Sequence, residues 1–393
     1  MTPPQLAAVA GKRPEAFLLT PHGAAAAIFF VFGIGVGLWS GASATILAHA
    51  SVTAPAFGVA MTFFMAAYLA AMSSGGWLIG RFGLRKVLLA GAPLQGLGVA
   101  SLLMAQSSGA VLVRLVMFGV FAGLVDLTMN AEGARVERAL ARPIFAGLHG
   151  GASIGMALGA IAGSLIAVNV GSWLSAVIAS CAFAGVTALI FAVTPDRGGD
   201  HAHEGRSGRG ALLSRTLIAL GVIIGVSIAS EGAAFFWSTL LLQNEAPGLA
   251  AVSGLGAAFF CGCQAALRLN ADRVRRLVSD RRLIVVSLAV ASLGFLVVAL
   301  HAGFAVSVVG FAIIGVGTGA VVPCGFALAV SHRGFSAAAA LSTVALFGSL
   351  ARLPAPLAMG AIANYFSLAG AFSLFAVLLA LAVGAMRLFV GDD

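Results

Sequence analysis

Long apolar runs separated by short polar breaks recur along the whole chain. One crossing of a bilayer takes roughly 20 apolar residues, and twelve such runs can be marked. In the first half they cover 22–48, 55–79, 87–105, 110–131, 146–168 and 173–194. In the second they cover 213–241, 250–267, 283–300, 304–330, 337–363 and 367–389. Lipid offers unpaired backbone no partner, so each run is predicted to be a helix. The run 304–330 reads as one span, because its ends leave no room for a loop between two shorter helices. The longest polar break, TPDRGGDHAHEGRSGRG at Thr194–Gly210, is Gly-rich and charged and reads as a flexible linker. It divides the chain into a bundle over 1–197, a linker over 198–212 and a bundle over 213–393. The expected fold is all-α, with twelve transmembrane helices in two pseudo-symmetric six-helix bundles.

Composition agrees with lipid as the main solvent: the 393 residues are 60% hydrophobic and only 9% charged. A soluble chain of this length would need far more charge to cover its surface. With twelve spans and both termini on one side, all but Arg114 and Arg352 of the 22 Lys and Arg fall on that side. The opposite loops hold none, which by the positive-inside rule makes both termini cytoplasmic in a bacterial inner membrane. The net charge of +9 then belongs to the cytoplasmic rim. It is not a nucleic-acid surface, which would need a basic soluble domain. Cys181, Cys261, Cys263 and Cys324 lie in spans and read as buried free thiols. CGC offers too few ligands for a metal, as do His201 and His203 in the linker. No Ser–His, metal-ligand or phosphate-binding constellation appears, so no enzyme activity, metal or cofactor is expected. The expected partner at this point is the bilayer, and the chain is expected to be a monomer.

Against this background the polar residues inside the spans carry the chemistry. In GLVDLTMNAEGARVER (Gly123–Arg138) and the turn before it, Gly119, Gly123, Asp126, Asn130 and Gly133 share one helix face, while Leu124, Val125, Leu127 and Met129 are apolar. A carboxylate near mid-bilayer costs roughly 2.5–3.5 kcal/mol, so Asp126 turns inward. Two roles are open to it: proton coupling or solute contact, and a structural hydrogen bond to a neighbouring helix. Glu231, in SIASEGAAFFWS, is a second intramembrane carboxylate with the same choice. Asn130 beside Asp126 and Trp39 in GLWSGAS are candidate substrate contacts, Trp39 by stacking, although packing is the commoner use of an aromatic. Arg352, in GSLARLPAP, has no neutralising neighbour in sequence, and Pro354 and Pro356 break the helix after it. It can pair with Asp126 or Glu231, bind an anionic solute group through its planar fork, or snorkel. Arg114 can snorkel at the outer end of span four. Glu132, Arg135, Glu137, Arg138 and Arg142 crowd the inner end of that span, beside His149. Gly147, Gly151, Gly155, Gly159 and Gly163 recur at every fourth position, a face that lets another backbone approach and suits helices that rock between the halves.

Shifting the sequence by 192 residues sets Asp126 opposite Thr318 and Arg81 opposite Arg273, an internal repeat of the two halves. Together with the loop GGWLIGRFGLRK, this resembles the major facilitator superfamily. That family's loop signature, Gly-x-x-x-Asp-Arg-x-Gly-x-Arg-Lys/Arg, is matched by Gly76, Arg81, Gly83, Arg85 and Lys86. Gly80 stands where the signature has Asp, whereas the second-half copy has Asp272 before Arg273. DLTMNAEGARVE and RPIFAGLHGGASIG look like the bacterial branch related to the fucose–proton symporter, in which an acid and then Asn sit on the fourth helix. The resemblance implies alternating-access transport of a small solute, such as a sugar or related metabolite, with proton coupling. It makes Asp126 and Glu231 the coupling candidates, Asn130, Trp39 and Arg352 substrate contacts, and Arg81, Arg85, Asp272, Arg273, Glu132 and Arg135 a cytoplasmic gate. A proton-driven efflux antiporter for drugs or metabolites is the near alternative. A transporter-like nutrient sensor is the remoter one, since such a sensor is expected to carry a soluble output domain.

Overall fold

The computed structural model describes residues 17–194, 211–332 and 334–390; the Asp272 side chain lies outside the described residues. His201 and His203 of the linker also fall outside them. Six helices precede the linker: α1 (Pro21–His49), α2 (Ala54–Phe82), α3 (Leu84–Leu103), α4 (Ser108–Leu140), α5 (Phe145–Asn169) and α6 (Ser172–Val193). Six follow it: α7 (Arg215–Glu245), α8 (Leu255–Arg275), α9 (Asp280–Ala299), α10 (Phe304–Ser331), α11 (Ala337–Tyr365) and α12 (Leu368–Phe389). The 12 spans they build are long and apolar enough to cross a membrane.

The sequence marks where these helices start. Thr20, Thr53, Ser107, Ser214, Ser279, Ser336 and Ser367 each accept a hydrogen bond from the backbone N–H three residues on, satisfying a donor the helix leaves free. Gly83, at φ 87°, makes the one-residue turn from α2 to α3, a backbone setting other residues rarely take. Two spans are broken. α10 stops at Thr318 and resumes at Val321, so the run read as one helix crosses in two segments. α11 stops at Arg352 and resumes at Ala355, because Pro354 and Pro356 lack the amide hydrogens a continuous helix needs.

The two halves use one packing scheme. In the first, α1 lies on α5, α2 on α4 and α3 on α6; in the second, α7 lies on α11, α8 on α10 and α9 on α12. The α1–α5 seam is especially close: a Cβ added at Gly37 would lie 2.9 Å from the Gly159 Cα. Gly155, Gly159 and Gly163 thus serve packing within the first half, and Gly147 and Gly151 approach nothing closely. Between the halves, α5 meets α8, α2 meets the second segment of α11, and α1 meets α7. A Cβ at Gly58 would lie 3.0 Å from the Gly360 Cα, and Ser40 Oγ donates to the Phe235 carbonyl at 2.7 Å. All four thiols are free, but only Cys261 and Cys324 are buried as expected; Cys181 is exposed and Cys263 partly so.

Candidate functional site

Where the halves face each other, the core holds two polar strings. In the first half Tyr68, on α2, donates its hydroxyl to Asp126 Oδ2. Asn130, one turn along α4, donates Nδ2 to the Asp126 carbonyl oxygen (2.7 Å) and to its Oδ1 (2.9 Å). His149 Nε2, near the start of α5, lies 3.0 Å from Asn130 Oδ1. Phe29 and Phe145 pack edge-on against the His149 ring, with centroids 5.1 and 4.9 Å away. Asp126 is therefore held by neutral donors of its own half. Hydrogen bonds to a charged group contribute about 1.5–3 kcal/mol each, the same size as the roughly 2.5–3.5 kcal/mol cost of a carboxylate at this depth. The two bonds, from Tyr68 and Asn130, thus offset that cost without a cation in contact.

In the second half Glu231, on α7, pairs with Arg268, on α8, at 3.3 Å. Gln264 lies beside the same carboxylate and aims Nε2 at Thr318 Oγ1, 3.1 Å away at the break in α10. Thr318 is the residue that the 192-residue repeat sets opposite Asp126. The α2-to-α4 contact of Tyr68 with Asp126 thus has its counterpart in the α8-to-α10 contact of Gln264 with Thr318. Glu231 Oε1 is buried without a hydrogen-bond partner among the described residues. Arg268 also acts electrostatically on His149, and α8 packs on α5, which brings the two strings near each other across the interface.

Arg352 stands at the break in α11, and its charge acts on Tyr68, Asp126 and Glu231. Its Nε is buried and has no hydrogen-bond partner among the described residues. A narrow cleft with room for about one water (about 20 Å³) lies against it, bounded by Met61 and Met65 of α2, Phe236 of α7, and Pro356 and Met359 of α11.

The other expected contacts are placed differently. Trp39 is fully buried, and its Nε1 has no hydrogen-bond partner among the described residues. Asn130 spends its Nδ2 donors on Asp126, so in this conformation it positions the carboxylate and offers no free donor to a solute. At the inner end of α4, Glu132 is buried and held by Arg135 of the same helix, at 2.8 and 2.6 Å. Glu137 Oε2 accepts from the backbone N–H groups of Ile144 and Phe145 and so caps α5. Arg85 donates to the Phe191 carbonyl at 2.8 Å and lies over that ring, tying α3 to α6. Arg273 donates to Asn270 of its own helix, and Arg81 is exposed. Arg114 donates to the Ser101 carbonyl at 2.8 Å, which binds α4 to α3.

Tyr68, Gln264 and Arg268 are not singled out by the sequence pattern. The charge asymmetry puts Arg268 on the rim, but α8 runs on to Arg275 and leaves Arg268 inside, one turn from Gln264. Tyr68 is one of only two tyrosines, a lone phenol in the run MAAYLAAM, and that is the one available signal.

Twelve spans, two matching bundles and a charged core between them define a multi-pass membrane transporter. The family model of the major facilitator superfamily matches residues 24–353, and the chain belongs to that family. An uncharacterized transporter, y4wD, of Sinorhizobium fredii is 26% identical over 307 residues, 78% of this chain and 81% of that protein. The membrane protein MosC of Rhizobium meliloti is 27% identical over 298 residues, 75% of this chain and 72% of that protein. Among solved structures, the nucleoside transporter NupG superposes with a TM-score of 0.70 at 12% identity, covering 95% of this chain and 100% of that one. A point variant of the E. coli fucose:proton symporter FucP superposes with a TM-score of 0.58 at 15% identity, covering 95% and 99%. At these identities the two structures speak for the fold alone.

Proposed function

We propose that this protein is a proton-driven permease of the bacterial inner membrane, with both termini cytoplasmic, that moves a small solute by alternating access. The observation that carries this reading is Asp126, a carboxylate deep in a spanning helix whose hydrogen bonds come from neutral groups, Tyr68 and Asn130. Neutral donors let the carboxylate take a proton without breaking an ion pair, which is what a proton carrier requires. Glu231, paired with Arg268, is the second carboxylate of the cycle. The bundles over 1–197 and 213–393 act as the rocking units about the core. Arg81, Arg85, Arg273, Glu132 and Arg135 are the gate residues of this cycle, at the cytoplasmic ends of their helices. Names among the similar proteins, a nucleoside transporter and a fucose:proton symporter, support a small metabolite as the cargo.

The test is solute-dependent proton flux into proteoliposomes, followed with an internal pH dye while metabolite pools are added outside. Wild-type protein is expected to acidify the lumen with a solute-bearing pool. Asp126→Asn is expected to lose gradient-driven accumulation while retaining counterflow of the same solute. Unchanged accumulation and pH dependence in Asp126→Asn would sink the coupling role.

A further inference from the structure

We infer that the transported solute carries a carboxylate, that Arg352 binds it, and that anion and proton therefore enter the core together. The inference rests on the proton-driven reading above and names the chemical class of its cargo.

The charges of the core make the case. Among the described residues, two carboxylates, Asp126 and Glu231, and two guanidiniums, Arg268 and Arg352, meet there. Glu231 is taken by Arg268 at 3.3 Å. Asp126 has one oxygen taken by Tyr68 and the other by Asn130. Arg352 is left over: it feels Tyr68, Asp126 and Glu231 at a distance, and its buried Nε finds no acceptor. A guanidinium presents a fork of N–H donors shaped for a carboxylate, and burying it without an acceptor is costly. Glu231 Oε1 is unpartnered too, but neither carboxylate hydrogen-bonds or ion-pairs with Arg352 in this conformation, and the acceptor that suits its Nε comes from outside the chain.

The surroundings point to the same ligand. The second segment of α11 starts at Ala355 without a side-chain cap, and Ala355 and Pro356 line the cleft against Arg352. A helix N-terminus is the positive end of its dipole and adds to the attraction for an anion. The remaining walls, including Met61, Met65, Phe236 and Met359, are apolar. A neutral sugar, rich in hydroxyls, would find few partners there, because Arg352 is the only charged group on the cleft among the described residues. A carboxylate on a compact apolar body matches both features; the cleft as it stands has room for about one water (about 20 Å³), so binding requires its flexible, methionine-lined walls on α2 and α11 to part.

Proton linkage follows from the same count. With both carboxylates ionised the four groups sum to zero; one proton on Asp126 or Glu231 leaves the core with a net positive charge, which favours an anion. The groups that face these acids are Tyr68 and Asn130 at Asp126, Arg268, Gln264 and Cys261 at Glu231, His149 beside Arg268, and Arg352 toward both. Acid pH therefore tightens anion binding, and bound anion promotes protonation, by the reciprocity of linked sites.

The experiment is thermal stabilisation of the purified full chain in detergent by pyruvate, benzoate and phenylpyruvate, each against its neutral amide, with glucose and fucose as uncharged sugars. At least one carboxylate is expected to stabilise wild-type protein where its amide does not, with an apparent affinity about tenfold higher at acid than at mildly alkaline pH. Arg352→Gln is expected to abolish the effect, and Arg352→Lys, which keeps the charge without the fork, to weaken it. Melting of both variants without probe establishes that they fold. Asp126→Asn is expected to bind as tightly at alkaline pH as wild type does in acid. No stabilisation by any carboxylate, or full stabilisation in a folded Arg352→Gln, overturns the assignment. Stabilisation by sugars alone with proton flux intact overturns the anion while the proton-driven reading stands. Arg352-dependent anion binding whose pH response survives in Asp126→Asn removes the proton role of Asp126 instead.

Discussion

The two halves repeat one helix pairing yet hold their intramembrane acids in opposite ways. Asp126 of the first half rests on neutral donors from α2 and α4, whereas Glu231 of the second rests on a cation from α8. The repeat also shows the two halves diverging at one position: Asp126 corresponds to Thr318, which keeps the helix-to-helix hydrogen bond through Gln264 but gives up the charge. The lesson is that a shared scaffold fixes which helices touch and leaves the charge at the contact free to differ. An acid paired with a cation gives up that pair when it takes a proton; an acid among neutral donors has no such pair to lose.

Removing the cation tests this contrast hardest. Arg268→Gln strands Glu231 and is expected to cost about 3 kcal/mol, the lower end for breaking a buried pair because both partners keep some exposure. Melting in detergent measures it, and adding Glu231→Gln is expected to recover most of the loss. If the double variant melts no higher than the single one, the pair is not what matters there. Next comes the packing within the first half. Gly159→Val drives a side chain into the α1 backbone and is expected to cost about 1–3 kcal/mol, read as lower yield and melting temperature. Tyr68→Phe removes one neutral donor from Asp126, for an expected loss of about 1–2 kcal/mol and a shifted pH profile of proton flux. An unmoved profile would show that Tyr68 does not tune the acid. The smallest effect belongs to Gly348→Ala on α11. The added Cβ there would lie 3.2 Å from the Gly221 carbonyl oxygen, so a change within about 0.5 kcal/mol is expected, read as melting temperature.

Much of the fold was legible because lipid punishes error: a run of apolar residues long enough to span has little choice but a helix. The ends were less so. α4 continues to Leu140 and α8 to Arg275, well past their apolar runs, because polar residues extend a helix readily once it leaves the hydrocarbon. The break in α11 is announced by Pro354 and Pro356, and the one in α10 by Pro323, whose ring clashes with the Gly319 carbonyl four residues back and leaves it without its helical donor. In the site, Asp126, Asn130, Glu231 and Arg352 stand out because polar groups in apolar runs are conspicuous. Their partners do not. That Tyr68 reaches Asp126 across 58 positions, or Arg268 reaches Glu231 across 37, depends on which helices lie side by side, and local spacing is silent on that. The glycine face of α5 was legible as a close contact, but its partner, α1 of the same half, was not.

The way Asp126 is held separates two quantities that most ion pairs tie together. Tyr68, Asn130 and the carboxylate ride on the first half, and Arg352 rides on the second. Turning one half as a rigid body against the other leaves every hydrogen bond of the acid intact and changes only its distance to the guanidinium. The halves then behave like the plates of a capacitor whose gap is set by the transport cycle. On the proposed proton-driven cycle, the proton is a stored charge, loaded or released as the field across that gap rises and falls, while the hydrogen bonds that hold the carboxylate stay in place.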